Sequence, residues 1–443
     1  MADLAQAAVD AALGRIDADG EAGIFIDVVD RARALAAARV VDAAVAAAED
    51  RPLAGQTLAV KGNIDVAGHR TTAACPSFGS VAAESAPVVR ALEAAGAVVV
   101  GITNLDQFAT GLVGTRSPYG ACPNAHWPSL VSGGSSSGSA VAVARGLVDL
   151  ALGSDTAGSG RVPAAANAIV GVKPTPGRLS TRGVVPACRP FDCVSTFARS
   201  VEAAVQAADL AAGYDPLDPR SDPRAGRPAL TGRLRIGIPD PADLSFDGDA
   251  SGPPRFAQAV TDLVDTTDAD AVPVELEPFF ATGRLLYGGA FVAERYAAVG
   301  TFVDRGGSDL DPVVAGIIRA AAAIPAWELA RDLDTLARLR RATEATWQRA
   351  DVLVVPTVPR VPTREEVVAD PLGPNTMLGT YTTFTNLLGL CAISLPVEPA
   401  GPDGPPLSVS IMGPAWADGL VADVAGRLSR AVGTGTPASL PTS

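Results

Sequence analysis

Residues 132–163 read SGGSSSGSAVAVARGLVDLALGSDTAGSGRVP, and this stretch decides the fold prediction. A turn rich in glycine and serine leads into an apolar helix, then an apolar strand, then a second turn of small residues. Helices that alternate with short apolar strands are typical of an α/β protein, in which helices pack on a sheet. The two serine-bearing turns flank one helix–strand unit, so we expect them to meet at one edge of the sheet, where open α/β sheets build their sites.

The two turns differ in what they indicate. By itself GGSSSGS is typical of a flexible loop. It does not fit a phosphate-binding loop, because no Gly-Lys-Ser/Thr follows, and its glycine spacing does not fit a dinucleotide-binding loop. In the second turn, the small residues Thr156, Ala157 and Gly158 allow successive backbone N–H groups to point at one spot and stabilise an oxyanion. A serine beside such a turn is a candidate nucleophile and needs a base.

Candidates for that base are few. The chain has two histidines, His69 and His126, in the settings GHRTT and NAHWP, where a structural role is the simpler interpretation for each. Lys61 lies in LAVKGNID, directly after an apolar strand. Burial there disfavours the charged form and lowers the pKa of a lysine, and a neutral lysine can accept a proton. An ordinary surface lysine is the alternative interpretation.

The same alternation of helices and strands extends outward along the chain. It predicts an N-terminal helical region at 1–50, one discontinuous α/β domain at 51–430 and a tail at 431–443. A helical insert interrupts the domain at about 284–350. Besides the strand within 139–153, the strands are predicted at 57–66, 97–103, 234–239, 351–359, 389–397 and 407–414.

Composition narrows the function classes. With 443 residues, 48% of them hydrophobic, the chain can bury a large core and is not a disordered protein. A net charge of −13 argues against nucleic-acid binding. Five scattered cysteines form neither a disulfide framework nor a zinc spacing, and the sequence leaves any role of Cys188 and Cys193 open. The N-terminus lacks a basic, apolar signal pattern and no long apolar run follows, which predicts a cytoplasmic protein without a membrane partner.

Four segments together resemble the amidase signature family: LAVKGNIDVAG (58–68), GGSSSGSAVAVARG (133–146), GSDTAGSGRVPAA (153–165) and GVKPTPG (171–177). Ser135 and Ser159 are 24 residues apart, as the family pattern requires. The resemblance covers roughly residues 50–430. It implies an α/β fold with a large mixed central sheet covered by helices on both faces. It also implies a Ser–cisSer–Lys triad with no metal or cofactor.

Carried over by position, the family's site residues are the nucleophile Ser159, the bridging Ser135 after a cis peptide bond, the base Lys61, and the oxyanion-hole N–H groups of Thr156, Ala157 and Gly158. Ala157 stands where many members have glycine, and its methyl group fits only if φ stays negative.

Two further segments, 103–120 and 180–200, resemble the allophanate hydrolase branch of that family. Allophanate is the carboxylate of urea, so its site needs a cation near the scissile amide. In LLYGGAFVAERYAAV, Tyr287 and Arg295 are eight residues apart. That is about two turns of a continuous helix, which would put both side chains on one face. Arginine binds carboxylates bidentately and tyrosine adds a hydrogen bond, and the resemblance implies this role for the pair. A surface arginine near a core tyrosine is the alternative.

The resemblance implies a serine amidohydrolase that converts allophanate to ammonia and N-carboxycarbamate, and ultimately carbon dioxide, in urea degradation. The alternatives are an amidase of another small amide such as biuret or a carboxylated urea relative, a transamidase of the tRNA-dependent type, and a scaffold without turnover. The expected partners are a small anionic amide substrate and a separate urea carboxylase upstream, with no nucleic acid. Family members are often dimers, so a homodimer is expected as one arrangement. Many allophanate hydrolases carry an accessory C-terminal domain, which we expect this chain to lack.

Overall fold

The computed structural model describes residues 3–224, 226, 232–399, 401 and 404–433. Its strands are β1 (Phe25–Val28), β2 (Thr57–Lys61), β3 (Val98–Thr103), β4 (Leu150–Asp155), β5 (Val170–Lys173), β6 (Cys193–Ala198), β7 (Arg235–Pro239), β8 (Asp270–Val274), β9 (Val352–Pro356), β10 (Cys391–Pro396) and β11 (Ser408–Gly413).

The helices of the first part are α1 (Leu4–Asp19), α2 (Arg31–Ala46), α3 (Pro87–Ala94), α4 (Ser137–Ala144), α5 (Val162–Ala166), α6 (Val201–Ala211) and α7 (Gly252–Thr267). Those of the second part are α8 (Glu277–Gly288), α9 (Ala293–Arg295), α10 (Thr301–Asp304), α11 (Pro312–Ala320), α12 (Ala326–Arg349), α13 (Arg364–Ala369), α14 (Gly373–Leu378), α15 (Thr383–Leu387) and α16 (Asp418–Val432). A π-helical turn, Tyr296–Gly300, lies between α9 and α10.

One mixed sheet contains all of these strands, in the order β1-β3-β2-β4-β6-β5-β10-β11-β9-β7-β8. Strands β3, β2 and β4 are parallel to one another, as are β9, β7 and β8. The neighbours between these two groups, and β1 on β3, are antiparallel. The predicted α/β fold with a large mixed sheet and packed helices is confirmed.

The predicted strands are all present, with shorter ends. Strands β2, β3 and β4 are buried at every position, which explains why they read as continuous apolar runs. The sequence did not predict β1, β5, β6 and β8. Strand β1 is short and half exposed at the sheet edge, and β8 contains a proline and is mostly exposed, so neither carries a strong apolar signal.

The N-terminal helices share the core of the sheet. Buried apolar residues of α1, among them Val9 and Leu13, belong to the same hydrophobic cluster as Leu58 of β2 and Val100 of β3. Strand β1 also lies within the predicted helical region 1–50 and pairs with β3, so this region is not only helical and shares one core with the sheet. The predicted tail, 431–443, lies outside the described residues from 434 onward.

Helices α8 to α12 lie in the segment that was predicted as a helical insert. They occupy Glu277 to Arg349 and pack on three smaller apolar clusters. Among the described residues, no single helix is long and apolar enough to cross a bilayer, and one bent pair, Pro312–Ala323 with Ala326–Arg349, passes by length and composition only.

Three strand ends lie at one edge of the sheet. Strands β2 and β4 run parallel with Val60 opposite Leu152, so their last residues, Lys61 and Asp155, are close in register. Strand β6 reverses direction between β4 and β5, which brings Lys173 at the end of β5 to the same edge. The sheet thus gathers buried charged residues where a site is expected in open α/β folds.

Candidate active site

Lys61 is completely buried, and its described polar partners are all uncharged. Its Nζ donates hydrogen bonds to Ser135 Oγ at 2.8 Å and to Ser154 Oγ at 2.9 Å. Burial lowers the pKa of Lys61 to about 7, although the negative charges of three carboxylates oppose this shift, those of Asp106, Asp155 and Asp192. A substantial fraction of Lys61 is therefore neutral near pH 7, as a proton acceptor must be, and the surface-lysine interpretation is wrong.

Ser135 lies in the turn before α4, where the Gly134–Ser135 peptide bond is cis. Its Oγ accepts the Lys61 hydrogen bond, and no described residue accepts its hydroxyl proton. The backbone N–H of Asp106 donates to the Ser135 carbonyl at 3.1 Å. The Asp106 carboxylate in turn accepts the N–H groups of Gly114 and Arg116, both at 3.0 Å. The loop after β3 thus holds the serine in place.

The turn after β4 is held by a buried ion pair. Asp155 accepts two hydrogen bonds from Arg161, from Nε at 3.0 Å and from Nη2 at 2.9 Å, and both side chains are fully buried. It also accepts the N–H groups of Gly158 and Gly160, each at 2.9 Å. Burial opposes ionisation of Asp155, but the charge and hydrogen bonds of Arg161 outweigh it and keep the pKa of this carboxyl below its usual range. Ser159 lies at the tip of this turn.

The free N–H groups of the turn differ from the prediction at one position. The N–H of Gly158 is donated to Asp155, so this donor is not free for an oxyanion, and the prediction for Gly158 is wrong. The N–H groups of Thr156, Ala157 and Ser159 have no acceptor among the described residues. Ala157 keeps a negative φ, so its methyl group is tolerated.

Gly158 has a structural reason for being glycine. Its φ is +131°, and a Cβ there would lie 2.3 Å from Thr382 Oγ1. The positive φ and the nearby Thr382 side chain both exclude a side chain at this position. Only glycine therefore allows the turn conformation that directs the neighbouring N–H groups.

Tyr287 and Arg295 meet, but not on a continuous helix. Helix α8 ends at Gly288, Gly289 is extended, and α9 begins only at Ala293. The expectation of two turns on one helix face is therefore wrong. The pair is instead brought together across the break: Arg295 Nη2 donates to Tyr287 Oη at 3.2 Å, and the guanidinium carbon lies 5.2 Å from the centre of the Tyr287 ring.

Arg295 is buried and has no negatively charged partner in the part of the chain that the structure describes. Only 1% of the residue is exposed, so the surface-arginine interpretation is wrong. Besides Tyr287, its described acceptors are Thr110 Oγ1, 3.2 Å from Nε, and the Ala187 carbonyl, 3.1 Å from Nη1. Within the described ranges no carboxylate forms an ion pair with it. A buried charge that is hydrogen-bonded only to neutral groups is expensive unless an anion completes the site.

Sequence reasoning missed three residues that shape this site: Ser154 beside Lys61, Thr110 beside Arg295, and Asp192. The Asp192 carboxylate accepts a hydrogen bond from Thr156 Oγ1 at 2.5 Å. Asp192 directly precedes β6, a strand that the sequence did not predict. Nothing in the sequence therefore indicated that Asp192 is buried. Within the described residues, no group of three or more His, Cys, Asp or Glu side chains is arranged to hold a metal ion.

Comparison with known proteins adds the family context. A family model described as "Amidase" matches residues 7–422. The urea amidolyase of Saccharomyces cerevisiae is 43% identical over 410 residues, which are 88% of this chain and 22% of that protein. The chain therefore spans about a fifth of the length of that relative. A glutamyl-tRNA(Gln) amidotransferase chain of Haloarcula marismortui is 33% identical, over 86% of this chain and 96% of that protein.

Among solved structures, the allophanate hydrolase of Kluyveromyces lactis superposes with a TM-score of 0.90 at 38% identity. The match covers 96% of this chain and 70% of that one.

Proposed function

The chain belongs to the amidase family, and from this premise we propose that it is an allophanate hydrolase acting through Ser159, Ser135 and Lys61. The observation that carries the choice of substrate is the buried guanidinium of Arg295, which has only neutral described partners. Allophanate carries a carboxylate two bonds from its scissile carbonyl carbon, and this group supplies the missing negative charge. The likeness to the Kluyveromyces lactis allophanate hydrolase supports the same substrate.

The first chemical step is a proton relay. Neutral Lys61 takes the proton of Ser135, to which its Nζ is already hydrogen-bonded at 2.8 Å. Ser135 takes the proton of Ser159 as the Ser159 Oγ attacks the terminal amide carbonyl of the substrate. For this transfer the Ser135 hydroxyl turns its proton, which no described residue accepts, toward the lone pair of neutral Lys61, and its oxygen then accepts the proton of Ser159.

Charge then develops on the substrate oxygen. The free N–H groups of Thr156, Ala157 and Ser159 can donate to this oxyanion without first breaking another hydrogen bond among the described residues. When the tetrahedral intermediate collapses, its C–N bond breaks and the relay returns the proton to the leaving ammonia. Water then hydrolyses the acyl-enzyme and releases N-carboxycarbamate, which decarboxylates to ammonia and carbon dioxide.

Arg295 and Tyr287 bind the carboxylate of the substrate. The guanidinium forms charge-assisted hydrogen bonds with it, and the Tyr287 hydroxyl, now an acceptor from Nη2, can turn to donate to the same group. Binding of the anion also removes the free-energy penalty of an uncompensated buried cation.

The proposal is tested by ammonia release from allophanate, biuret, acetamide and glutamine in parallel, with Ser159→Ala as the inactive control. We expect a strong preference for allophanate and stoichiometric labelling of Ser159 by a fluorophosphonate. A preference for biuret or acetamide would indicate that the substrate is a neutral amide and not allophanate. Preference for glutamine would favour an activity like that of the amidotransferases. An unlabelled, inactive protein would indicate a scaffold.

A further inference from the structure

A short turn, residues 187–192, connects the two halves of the site, and we call it the bridge turn. On one side its Asp192 carboxylate accepts Thr156 Oγ1 at 2.5 Å, from the turn that carries the nucleophile. The same carboxylate closes the bridge turn on itself by accepting the N–H groups of Ala187 and Cys188, each at 3.0 Å. Asp192 is 8% exposed.

On its other side the bridge turn contacts the insert. The carbonyl of Ala187 accepts Arg295 Nη1 at 3.1 Å. The Phe191 ring packs edge-on against Phe291 with ring centres 5.1 Å apart, and Cys188 Sγ lies 3.7 Å from the Phe291 carbonyl. The segment before α9, which leads to Arg295, thus rests on the bridge turn.

A second connection runs to the end of β4. The Asn386 amide donates to the Asp155 carbonyl at 2.8 Å and to the Phe191 carbonyl at 2.9 Å. The bridge turn is therefore tied to the nucleophile turn at two points, and Asp192 is the point that contacts an oxyanion-donating residue.

We propose that Asp192 is a positioning residue that holds the Arg295 guanidinium at a set distance from the free N–H groups of Thr156 and Ala157. Carboxylate recognition and polarisation of the amide then act on one substrate at once. This inference rests on the proposed function, because it assigns Arg295 to the substrate carboxylate.

The chemistry of the contacts explains why a carboxylate is needed. Three donors converge on Asp192: one hydroxyl and two backbone N–H groups. An ionised carboxylate offers only acceptors, whereas an asparagine would direct its NH2 group at one of these donors. The amide would leave a buried donor unsatisfied and shift either the Thr156 side or the Ala187 side of the turn.

The charge of Asp192 gives a second readout. Together with the negative charges of Asp106 and Asp155, that of Asp192 stabilises the protonated form of Lys61. Replacing Asp192 by asparagine removes one of these charges, which lowers the pKa of Lys61 further. The acid limb of the pH–rate profile then moves to lower pH.

The experiment compares allophanate with biuret, which differ only in a carboxylate against a carboxamide. In Asp192→Asn we expect kcat/KM for allophanate to fall by about 100-fold and that for biuret by about 10-fold, since small misplacements have effects of this size. The preference for allophanate thus falls by about tenfold, and the acid limb moves to lower pH. In an Arg295→Gln background, Asp192→Asn should lower kcat/KM for both substrates by the same factor, because the guanidinium that Asp192 positions is already absent.

Asp218→Asn is the matched control. Asp218 is buried to a similar extent, at 6% exposed, and accepts two backbone N–H groups, of Thr181 and Arg220, and two hydroxyls, from Thr181 and Ser180. The Asp218→Asn variant should be less stable than the wild type, with an unchanged substrate preference and an unchanged pH–rate profile. Should Asp192→Asn not fold, Thr156→Val, which removes only the hydroxyl donor, carries the test with a smaller fall in preference.

An unchanged preference for allophanate in the folded variant would overturn the inference, as would an equal change in Asp218→Asn. A wild-type protein without activity on allophanate would overturn the proposed function and this inference with it. An active wild type with an unaffected Asp192→Asn would overturn this inference alone.

Discussion

Arg161, beside the strand ends, and Arg295, in the helical insert, are both almost completely buried, yet their surroundings differ. Arg161 makes two hydrogen bonds to Asp155 and donates further to Thr385 Oγ1 and the Thr382 carbonyl. Arg295 donates to a threonine, a tyrosine and a backbone carbonyl, all neutral. One cation is neutralised by a buried carboxylate, and the other has only neutral partners among the described residues.

This difference separates two tasks. The strand-end region orients the nucleophile turn through a closed set of ion-pair contacts, and it should matter for every amide substrate. The insert contributes an unneutralised charge and should matter only for anionic substrates. Under the proposed function, the same buried residue type has a structural role in one region and a binding role in the other, and its partners decide which.

The largest effect is expected at the strand ends. Lys61→Ala should lower kcat/KM for allophanate and biuret alike by about 10³-fold, the range of a lost general base. In the wild type, activity should rise with pH around the Lys61 pKa of about 7, because the protonated lysine cannot accept a proton. The measurement is a pH–rate profile from about pH 5.5 to 8.5 with both substrates.

Lys173→Met is the matched control for Lys61. Lys173 is also buried at a strand end, where its Nζ donates to the Pro174 carbonyl at 2.7 Å. The Lys173→Met substitution should leave the midpoint of the pH–rate profile unchanged. A midpoint that moves in Lys173→Met, or that survives in Lys61→Ala, would remove Lys61 from the role of base.

The next effect concerns stability and compares the two arginines directly. Arg161→Met leaves Asp155 buried without its counter-ion and should lower the free energy of unfolding by about 3–5 kcal/mol. Arg295→Met removes a cation that has no anionic partner among the described residues. This substitution should change the free energy of unfolding by less than about 1 kcal/mol or increase it. Chemical denaturation of both variants checks this. Equal losses would show that the two regions do not differ as described.

A smaller effect should be specific to the substrate. Arg295→Gln removes a charge-assisted pair with the substrate carboxylate, and this should weaken transition-state binding of allophanate by about 2 kcal/mol, or about 30-fold in kcat/KM. Biuret, which has no carboxylate, should be hydrolysed within about threefold of the wild-type rate, a difference of well under 1 kcal/mol. Parallel kinetics with the two amides test this, and an equal loss for both would place Arg295 with the strand-end machinery.

The smallest effect should come from Thr110, which accepts Arg295 Nε and donates to the Phe108 carbonyl. Thr110→Val removes one neutral acceptor and should raise KM for allophanate by about threefold to tenfold, the range of one lost hydrogen bond. Thr110→Ser keeps the hydroxyl and should restore KM. If KM stays raised in Thr110→Ser, which lacks only the methyl group, Thr110 acts through packing and not through its hydrogen bond.

Much of the strand-end region was predictable because its signals are local. Lys61 follows an apolar strand and both serines lie in turns of small residues, patterns that depend on neighbours in sequence. The free N–H groups were predicted one residue off, at Gly158 instead of Ser159, because the Asp155 carboxylate takes the Gly158 proton. A hydrogen bond of this kind depends on how the turn folds back, which spacing does not reveal.

The insert was predictable only in part. Tyr287 and Arg295 were expected on one helix face, yet the helix breaks at Gly289 and the pair meets across that break. Thr110, Ala187 and Asp192 come from distant segments with no motif that links them to Arg295.

By itself the sequence determined the α/β alternation and the positions of the lysine and the serines at the strand ends and turns, because apolar periodicity and short turn motifs are local properties. Only the tertiary structure decided that Arg161 pairs with Asp155 while Arg295 has only neutral described partners, and that the bridge turn contacts both Arg295 and the turn after β4. Ionic pairing and burial depend on which distant segments meet, and the packing of the sheet against the insert sets this.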